Sequence, residues 1–141
     1  ISPQSLRKLF FPGLKEVVQT IKKELDVPIF LHSDGNISAI LEDIVAMGFD
    51  GMQGIESGAG MDLLEIKKQY GEALCLMGNL DVGFLAQANR SEIYRVAAEL
   101  TYQAGTGGGF ILGSSAGILD DSIPLENLMV LKEAVKAKSL S

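Results

Sequence analysis

The order of apolar patterns along the chain constrains its fold most strongly. A helical pattern comes first, and short apolar runs then alternate with helical patterns four times. An apolar run that returns after each helix is expected to form a strand parallel to the preceding one, joined to it by a right-handed crossover. The sequence therefore predicts an α/β protein built on a parallel sheet.

The first helical pattern covers Pro3 to Leu25, and Pro12 is expected to break it into two pieces because proline interrupts helices. The later helices are predicted at Ile37–Met47, Asp62–Tyr70, Ser91–Ala104 and Leu125–Lys136. Gly48 is expected to end the first of these, and Asp62 and Ser91 are expected to act as N-caps. The strands are predicted at Val27–Leu31, Gly51–Ile55, Ala73–Met77 and Gly109–Leu112.

Charge and cysteine content exclude several classes of function. The chain has a net charge of −6, and its lysines and arginines are scattered, so a nucleic-acid or anionic membrane surface is not expected. It has no apolar run long enough to cross a membrane. The single cysteine, Cys75, excludes a disulfide framework and indicates a reducing cytoplasm. Because no cationic residue flanks it, Cys75 is expected in the core.

Polar side chains follow each predicted strand at its carboxyl end. His32 and Asp34 follow the first strand and Glu56 follows the second. Further polar residues follow the first, third and fourth strands: Asn36, Asn79, Asp81, Ser114 and Ser115. The carboxyl ends of parallel strands meet at one edge of the sheet, where α/β proteins bind ligands. The sequence therefore predicts a functional site at this edge.

Each of these features also has an ordinary structural interpretation. A single histidine after a strand is often held by hydrogen bonds, and Asp-Gly-Asn is common in turns and N-caps. The glycines of 105–109 precede a strand, whereas a phosphate-binding loop joins a strand to a helix, so a nucleotide site is not predicted there. Glu126 and Asn127 open the last helix and are expected to serve in capping and packing.

Two architectures accommodate four βα units: a small open sheet, or half of a (βα)₈ barrel. The first apolar pattern begins at once and the chain starts with Ile1 in place of methionine, so we expect a fragment of a longer protein. A half-barrel would leave two sheet edges and part of an apolar interior without a partner. Pairing with a second copy, or with an amino-terminal half, is therefore expected.

A set of stretches, in order along the chain, resembles the carboxyl-terminal half of the uroporphyrinogen decarboxylase superfamily. They are His32–Asn36, Gly54–Glu56, Gly60–Asp62, Lys67–Gly71, Gly78–Asp81, Gly107–Leu112 and Pro124–Asn127. The resemblance implies that residues 1–141 form a single partial domain. This domain would be half of a (βα)₈ TIM barrel, with about four βα units after a leading helix.

The superfamily contains the decarboxylase of porphyrin and haem biosynthesis and corrinoid-dependent methyltransferases. Ala116 stands where the decarboxylase is expected to carry a histidine, which disfavours decarboxylation. The zinc-dependent methyltransferases carry His-x-Cys after the equivalent strand, and here His32 is kept while Asp34 replaces the cysteine. Zinc held by His32, Asp34 and Glu56 would have harder, less thiophilic ligands.

The resemblance favours a methyltransferase-like enzyme. In that hypothesis His32 and Asp34 form a metal site or an acid–base pair, and Glu56 assists them. The substrate would be a small molecule, bound by the five polar residues Asn36, Asn79, Asp81, Ser114 and Ser115. Zinc and a corrinoid protein would be the cofactor and the partner. Two alternatives stay open: a decarboxylase, which needs no cofactor, and a non-catalytic module that binds a tetrapyrrole or corrinoid.

Overall fold

The computed structural model describes residues 1–117 and 119–138, in which four strands form one parallel sheet. The strands are β1 (Phe30–His32), β2 (Gly51–Gln53), β3 (Cys75–Leu80) and β4 (Phe110–Ser114). Their order in the sheet is their order in the chain, and each neighbouring pair is parallel. The alternation of strands and helices therefore gives the parallel sheet that the sequence predicts.

Seven α-helices surround the sheet in the described residues: α1 (Pro3–Leu9), α2 (Phe11–Glu24), α3 (Leu41–Met47), α4 (Leu63–Tyr70), α5 (Val82–Gln87), α6 (Arg90–Gly105) and α7 (Leu125–Lys138). Single turns of 3₁₀-helix lie at Ser38–Ile40 and Ser57–Ala59. The predicted break near Pro12 is confirmed, because α1 ends at Leu9 and Pro12 occupies the first turn of α2. None of the helices in the described ranges is long and apolar enough to span a membrane.

Helix ends follow local capping chemistry. Gly48 ends α3 in the left-handed conformation, and the Asp62 carboxylate accepts from the backbone N–H groups of Leu64 and Glu65. Both of these caps are as predicted. The prediction of Ser91 as an N-cap is wrong, because Asn89 and Glu92 form a reciprocal capping box that starts α6 two residues earlier.

Two faces of the sheet carry different side chains. One row of paired residues contributes to the hydrophobic core beneath the helices: Leu31, Met52, Leu76 and Phe110. The next row lies on the opposite face, because side chains alternate along a strand: His32, Gln53, Met77 and Ile111. We call this opposite face, together with Phe30, the open face. His32 lies on this face at the carboxyl end of β1.

Three of the four strands extend further toward their carboxyl ends than their apolar runs suggest, whereas β2 ends two residues earlier than predicted, at Gln53. β1 starts at Phe30 and includes His32, β3 runs on to Leu80, and β4 runs on to Ser114. Asn79 and Ser114 therefore lie within strands, where the sequence places them just after. The sequence also misses α5, a helix of six residues with a glycine near its start. Helices this short carry too few residues for a clear apolar period.

Candidate functional site

His32 ends β1 on the open face, and its imidazole faces the carboxylate of Asp34. The distance from His32 Nε2 to Asp34 Oδ1 is 3.5 Å. The two side chains are 46% and 65% exposed, respectively, so both reach solvent. The two predicted residues therefore lie side by side at the carboxyl end of β1.

Glu56 follows β2 and braces the turn that carries Asp34. Its Oε2 accepts a hydrogen bond of 2.5 Å from the backbone N–H of Gly35. Gly35 has φ +76, the left-handed conformation that glycine adopts without strain. Glu56 is thus brought to the His32–Asp34 turn, but through a backbone contact with the neighbouring glycine.

Asn36 uses its amide to connect the loops that follow β1 and β2. Its Nδ2 donates to Ala59 O at 3.1 Å, and its Oδ1 accepts from Ser38 N–H at 3.0 Å. Both ends of the side chain therefore hold the backbone in place. A substrate contact by Asn36 stays a prediction.

The loop after β4 reaches back across the sheet toward β1. It consists of residues 114–117, and we call it the β4 loop. Ser114 Oγ donates to Ala116 O at 2.8 Å, and the N–H of Ser115 donates to Leu80 O at 2.8 Å. Ser115 is buried, with 4% of its surface exposed. The two predicted serines therefore shape this loop, and only Ser114 retains appreciable exposure.

Gln53 was not predicted as a site residue, yet its side chain joins β2 to the β4 loop. Its Nε2 lies 3.4 Å from Ser114 O and 3.2 Å from Ala116 O. A glutamine in a strand is not by itself a sequence signal that predicts such a contact. Only its register opposite His32 could have indicated that it lies on the face of the site.

Two backbone glycines lie against the His32 ring. A Cβ atom on Gly117 would stand 3.0 Å from His32 Nε2, and one on Gly54 would stand 3.3 Å from His32 Nδ1. The imidazole is therefore held between the loop after β2 and the β4 loop. Glycine at both positions is what lets these backbones approach the ring.

Asn79 and Asp81 lie away from the His32–Asp34 pair, and each has a different structural role. Asp81 Oδ1 accepts from the N–H of Phe84 at 2.8 Å and so caps α5. Asn79 lines a groove of about 440 Å³ beside α4, together with Met61 and Leu100. Neither residue has a described contact with His32, and substrate binding by either stays a prediction.

The donor set expected for zinc does not form in the described part of the chain. In residues 1–117 and 119–138, no three of the histidine, cysteine, aspartate and glutamate side chains are placed to hold a metal ion. His32 and Asp34 lie near each other, but Glu56 is turned to the Gly35 N–H. The residues present therefore do not fit a three-ligand zinc site.

The arginines of this chain lie on helices, where each pairs with a carboxylate. Arg7 contacts Asp43 at 2.8 Å, Arg90 contacts Glu133 at 3.1 Å, and Arg95 lies 3.6 Å from Glu99. The hydrogen bond that Arg7 donates to Asp43, together with the smaller effect of that carboxylate's charge, raises the pKa of Arg7 above its ordinary value. None of these guanidinium groups lies in the open-face row. In the described residues, the open face therefore holds no arginine clamp for a polycarboxylate.

Cys75 begins β3 and is half-buried. Burial raises the pKa of its thiol, while the charge of Lys67 acts in the opposite direction and is the smaller effect. A raised pKa keeps the group as the less nucleophilic thiol near neutral pH. The expectation that Cys75 lies in the core is therefore only partly met, because the residue is half-buried and belongs to neither hydrophobic cluster of the described residues.

Comparison with known proteins places these features in context. The model of the family described as uroporphyrinogen decarboxylase (URO-D) matches residues 1–138. Uroporphyrinogen decarboxylase of Chlorobium phaeovibrioides is 33% identical over 143 residues, covering 99% of this chain and 39% of that enzyme. The enzyme of Legionella pneumophila is 34% identical over 139 residues, covering 96% of this chain and 37% of that enzyme.

A solved structure supports the same relationship. A methyltransferase from Methanosarcina mazei superposes with a TM-score of 0.80 at 26% sequence identity. The match covers 99% of this chain and 38% of that protein. The chain thus spans well under half the length of the relatives it matches, and its four parallel βα units are consistent with half of a TIM barrel.

Proposed function

The chain belongs to the uroporphyrinogen decarboxylase family, whose model matches residues 1–138, and we propose that it supplies half of the barrel of a corrinoid-dependent methyltransferase of that family. The observation that carries this proposal is the His32–Asp34 pair on an open face without arginine. Sequence identity alone points both ways, because the decarboxylases share 33–34% identity and the methyltransferase shares 26%.

The chemistry of the two reactions explains the choice. Decarboxylation of a pyrrole acetate requires cationic groups that hold many substrate carboxylates. Methyl transfer requires a polar group that activates the methyl donor or acceptor, and both reactions need a surface that accepts a large macrocycle. The open face offers the apolar side chains of Phe30, Met77 and Ile111 next to the His32–Asp34 pair. These features fit the second set of requirements better than the first.

In this proposal His32 holds or transfers a proton at Nε2. Imidazole can both accept and donate a proton near neutral pH, and general acid–base assistance of this kind contributes about 10²–10⁴ in rate. Asp34, 3.5 Å away, orients the ring. Glu56 accepts a hydrogen bond from the Gly35 N–H, so its role is to hold the turn that carries Asp34. No step is assigned to zinc.

The proposal can be tested with two chimeric barrels. In one, this chain replaces the matching segment of the Methanosarcina mazei methyltransferase, and in the other it replaces that of the Chlorobium phaeovibrioides decarboxylase. The first chimera is expected to transfer methyl groups from methylcobalamin, followed by its absorbance. The second is expected to release little CO₂ from uroporphyrinogen. The reverse pattern would establish the decarboxylase instead.

Variants then test the assigned residues in the active chimera. His32→Gln is expected to lower kcat by about 10²–10⁴, and Asp34→Asn by a smaller factor. Asp26→Asn is the matched control, because Asp26 is an exposed aspartate in the loop before β1, away from the carboxyl ends of the strands. Equal losses in Asp34→Asn and Asp26→Asn would contradict the role of Asp34.

Elemental analysis of the same proteins addresses the metal, since one equivalent of zinc lost in both site variants would assign His32 and Asp34 as ligands.

A further inference from the structure

The Gln53 side chain on the open face forms hydrogen bonds with residues more than sixty positions away in the sequence. Gln53 ends β2, in register with His32 on one side and Met77 on the other. Its amide passes the third strand and reaches the backbone that follows β4, with Nε2 3.4 Å from Ser114 O and 3.2 Å from Ala116 O. One side chain therefore begins beside His32 and ends on the loop that covers it.

Each hydrogen of the Gln53 NH₂ group has a carbonyl acceptor in this geometry. Ala116 O also accepts from Ser114 Oγ at 2.8 Å, so two donors from different strands converge on that carbonyl. Two convergent donors fix both the position and the direction of an acceptor. The Ala116 peptide is thus held more firmly than an ordinary loop peptide.

The other anchors of the β4 loop act on its side nearer β3. Ser115 N–H donates to Leu80 O, and the buried Ser115 side chain packs there. Ser114 Oγ acts within the loop. Gln53 is the contact in the described residues that draws the loop toward β1. Its loss is expected to let the loop shift while the sheet stays intact.

The position of this loop matters because Gly117 follows Ala116 and lies against His32. A Cβ atom on Gly117 would stand 3.0 Å from His32 Nε2 and 3.2 Å from Cε1. The backbone of the loop therefore limits how the imidazole can turn relative to Asp34. A shift of about 1 Å in a positioning group can cost about 10² in rate.

We propose that Gln53 is a positioning residue, which holds the β4 loop against the His32 imidazole and so fixes the orientation of the His32–Asp34 pair. The catalytic consequence rests on the proposed function, whereas the placement of the loop does not. Gln53 contacts neither the imidazole nor the Asp34 carboxylate in any described hydrogen bond. It acts through the carbonyls of Ser114 and Ala116.

The chain contains one histidine, so its imidazole can be followed by NMR without ambiguity of assignment. In the unsubstituted chain, nuclear Overhauser effects are expected from the His32 ring protons to the Gly117 α-protons. Gln53→Met removes both donated hydrogen bonds at similar side-chain length and is expected to abolish these effects. Backbone amide dispersion checks that the variant is folded.

A second variant and a control complete the comparison. Gln53→Glu keeps the side-chain size but places an acceptor against two carbonyls at neutral pH, so it is expected to behave as Gln53→Met does. Gln103→Met is the matched control, because Gln103 also donates from Nε2, to Glu99 at 3.1 Å on the exposed side of α6. The control should retain the contact between His32 and Gly117. Effects that persist in both folded Gln53 variants would overturn the proposal.

Activity in the methyltransferase chimera separates the two proposals. Gln53→Met is expected to lower kcat by about tenfold to a hundredfold, with KM changed less than about twofold. If the loop contact is lost while kcat stays unchanged, the loop placement holds but its catalytic consequence is overturned, whereas the role of His32 is decided separately by His32→Gln. If His32→Gln abolishes activity while the contact survives in the Gln53 variants, the positioning role fails and the proposed function stands.

Discussion

The His32 imidazole lies between two glycine backbones, and the two glycines differ in what a methyl group would meet. At Gly54 the added Cβ would stand 2.4 Å from Ser33 O, a backbone atom that cannot yield easily. At Gly117 its nearest neighbours would be atoms of the His32 ring, with Nε2 at 3.0 Å. The first position therefore constrains the fold, and the second constrains the orientation of the ring.

Gly117→Ala is therefore expected to affect activity more than stability. The half-exposed imidazole can move by a few tenths of an ångström to make room, which changes its alignment with Asp34. We expect kcat in the methyltransferase chimera to fall by about tenfold or more, and the free energy of unfolding to change by less than about 1 kcal/mol. Steady-state kinetics and urea unfolding measure the two effects, and an unfolding loss with normal kcat would contradict this assignment.

Sequence reasoning finds the residues of the site unevenly. His32 and Asp34 directly follow an apolar run, which identifies them as candidate site residues. The structure places the two side chains next to each other. Gln53 escapes notice because its partners lie more than sixty positions away, across an intervening strand. Long-range side-chain contacts of this kind depend on register, which a single sequence does not display.

At the scale of elements, Asp50 lies just before β2 and forms hydrogen bonds with α2, with the residue before β1 and with β3. Its carboxylate accepts from Lys22 Nζ of α2 at 2.6 Å and from the N–H of Ile29 at 2.8 Å. Its backbone N–H donates to Ile29 O and its carbonyl accepts from the N–H of Cys75. The hydrogen bonds from Lys22 and Ile29 lower the pKa of Asp50 below its ordinary value.

Asp50→Asn is expected to lower stability in a pH-dependent manner. Because the folded pKa is depressed, the carboxylate stabilises the fold above its ordinary pKa of 3.8, and this contribution disappears as the pH falls through the lower folded value. The side chain is 38% exposed, so solvent screening limits the expected loss to about 0.5–1 kcal/mol at pH 7. Urea unfolding at pH 7 and below pH 3.8 should show the difference between the two proteins shrinking. A constant difference would contradict the charge-based account.

Lys67 connects α4 to the glycine-rich turn before β4. Its Nζ donates to Gly108 O, and Gly107, Gly108 and Gly109 all have positive φ. Glycine makes that turn possible but leaves it without side-chain anchors of its own. Lys67→Met is therefore expected to cost about 1 kcal/mol in the free energy of unfolding. Lys68→Met, on the exposed side of α4, is the control, and equal effects of the two variants would argue against the anchor.

The elements themselves were largely predictable, and the exceptions have local causes. Periodicity and caps indicate α2, α4 and α7 because their apolar residues recur with helical spacing. The start of α6 was misjudged because Asn89 and Ser91 are both favourable caps, and only Asn89 has Glu92 three residues later. The extension of β3 through Gly78 was missed because glycine is uncommon inside strands.

At the scale of the whole molecule, the outer edges of β1 and β4 have no neighbouring strand among the described residues, and the open face carries exposed apolar surface. β1 and β4 each pair with one neighbour in the described part of the chain. Ile111 is 43% exposed on the open face, in the edge strand β4. The alternation of strands and helices was enough to predict a parallel sheet, but the choice of half a barrel over a small open sheet came from the family resemblance, which the comparisons confirm.

The chain by itself is therefore expected to self-associate through this face. Ile111→Thr should reduce binding of the dye ANS and shift sedimentation toward the monomer, because it removes apolar surface without emptying a core position. Val17→Thr is the control, since Val17 is 54% exposed but lies on α2. An equal reduction in both variants would show that association is unspecific.

The link between the first strand and the last loop has a consequence for biosynthesis. In this sheet each strand pairs with the one made just before it, so the layers can assemble progressively as the ribosome releases them. The His32 environment is different, because its partners in the β4 loop are translated long after the imidazole itself. A nascent chain that stalls before Gly117 would already hold most of its sheet and still lack the loop backbone that lies against the His32 ring.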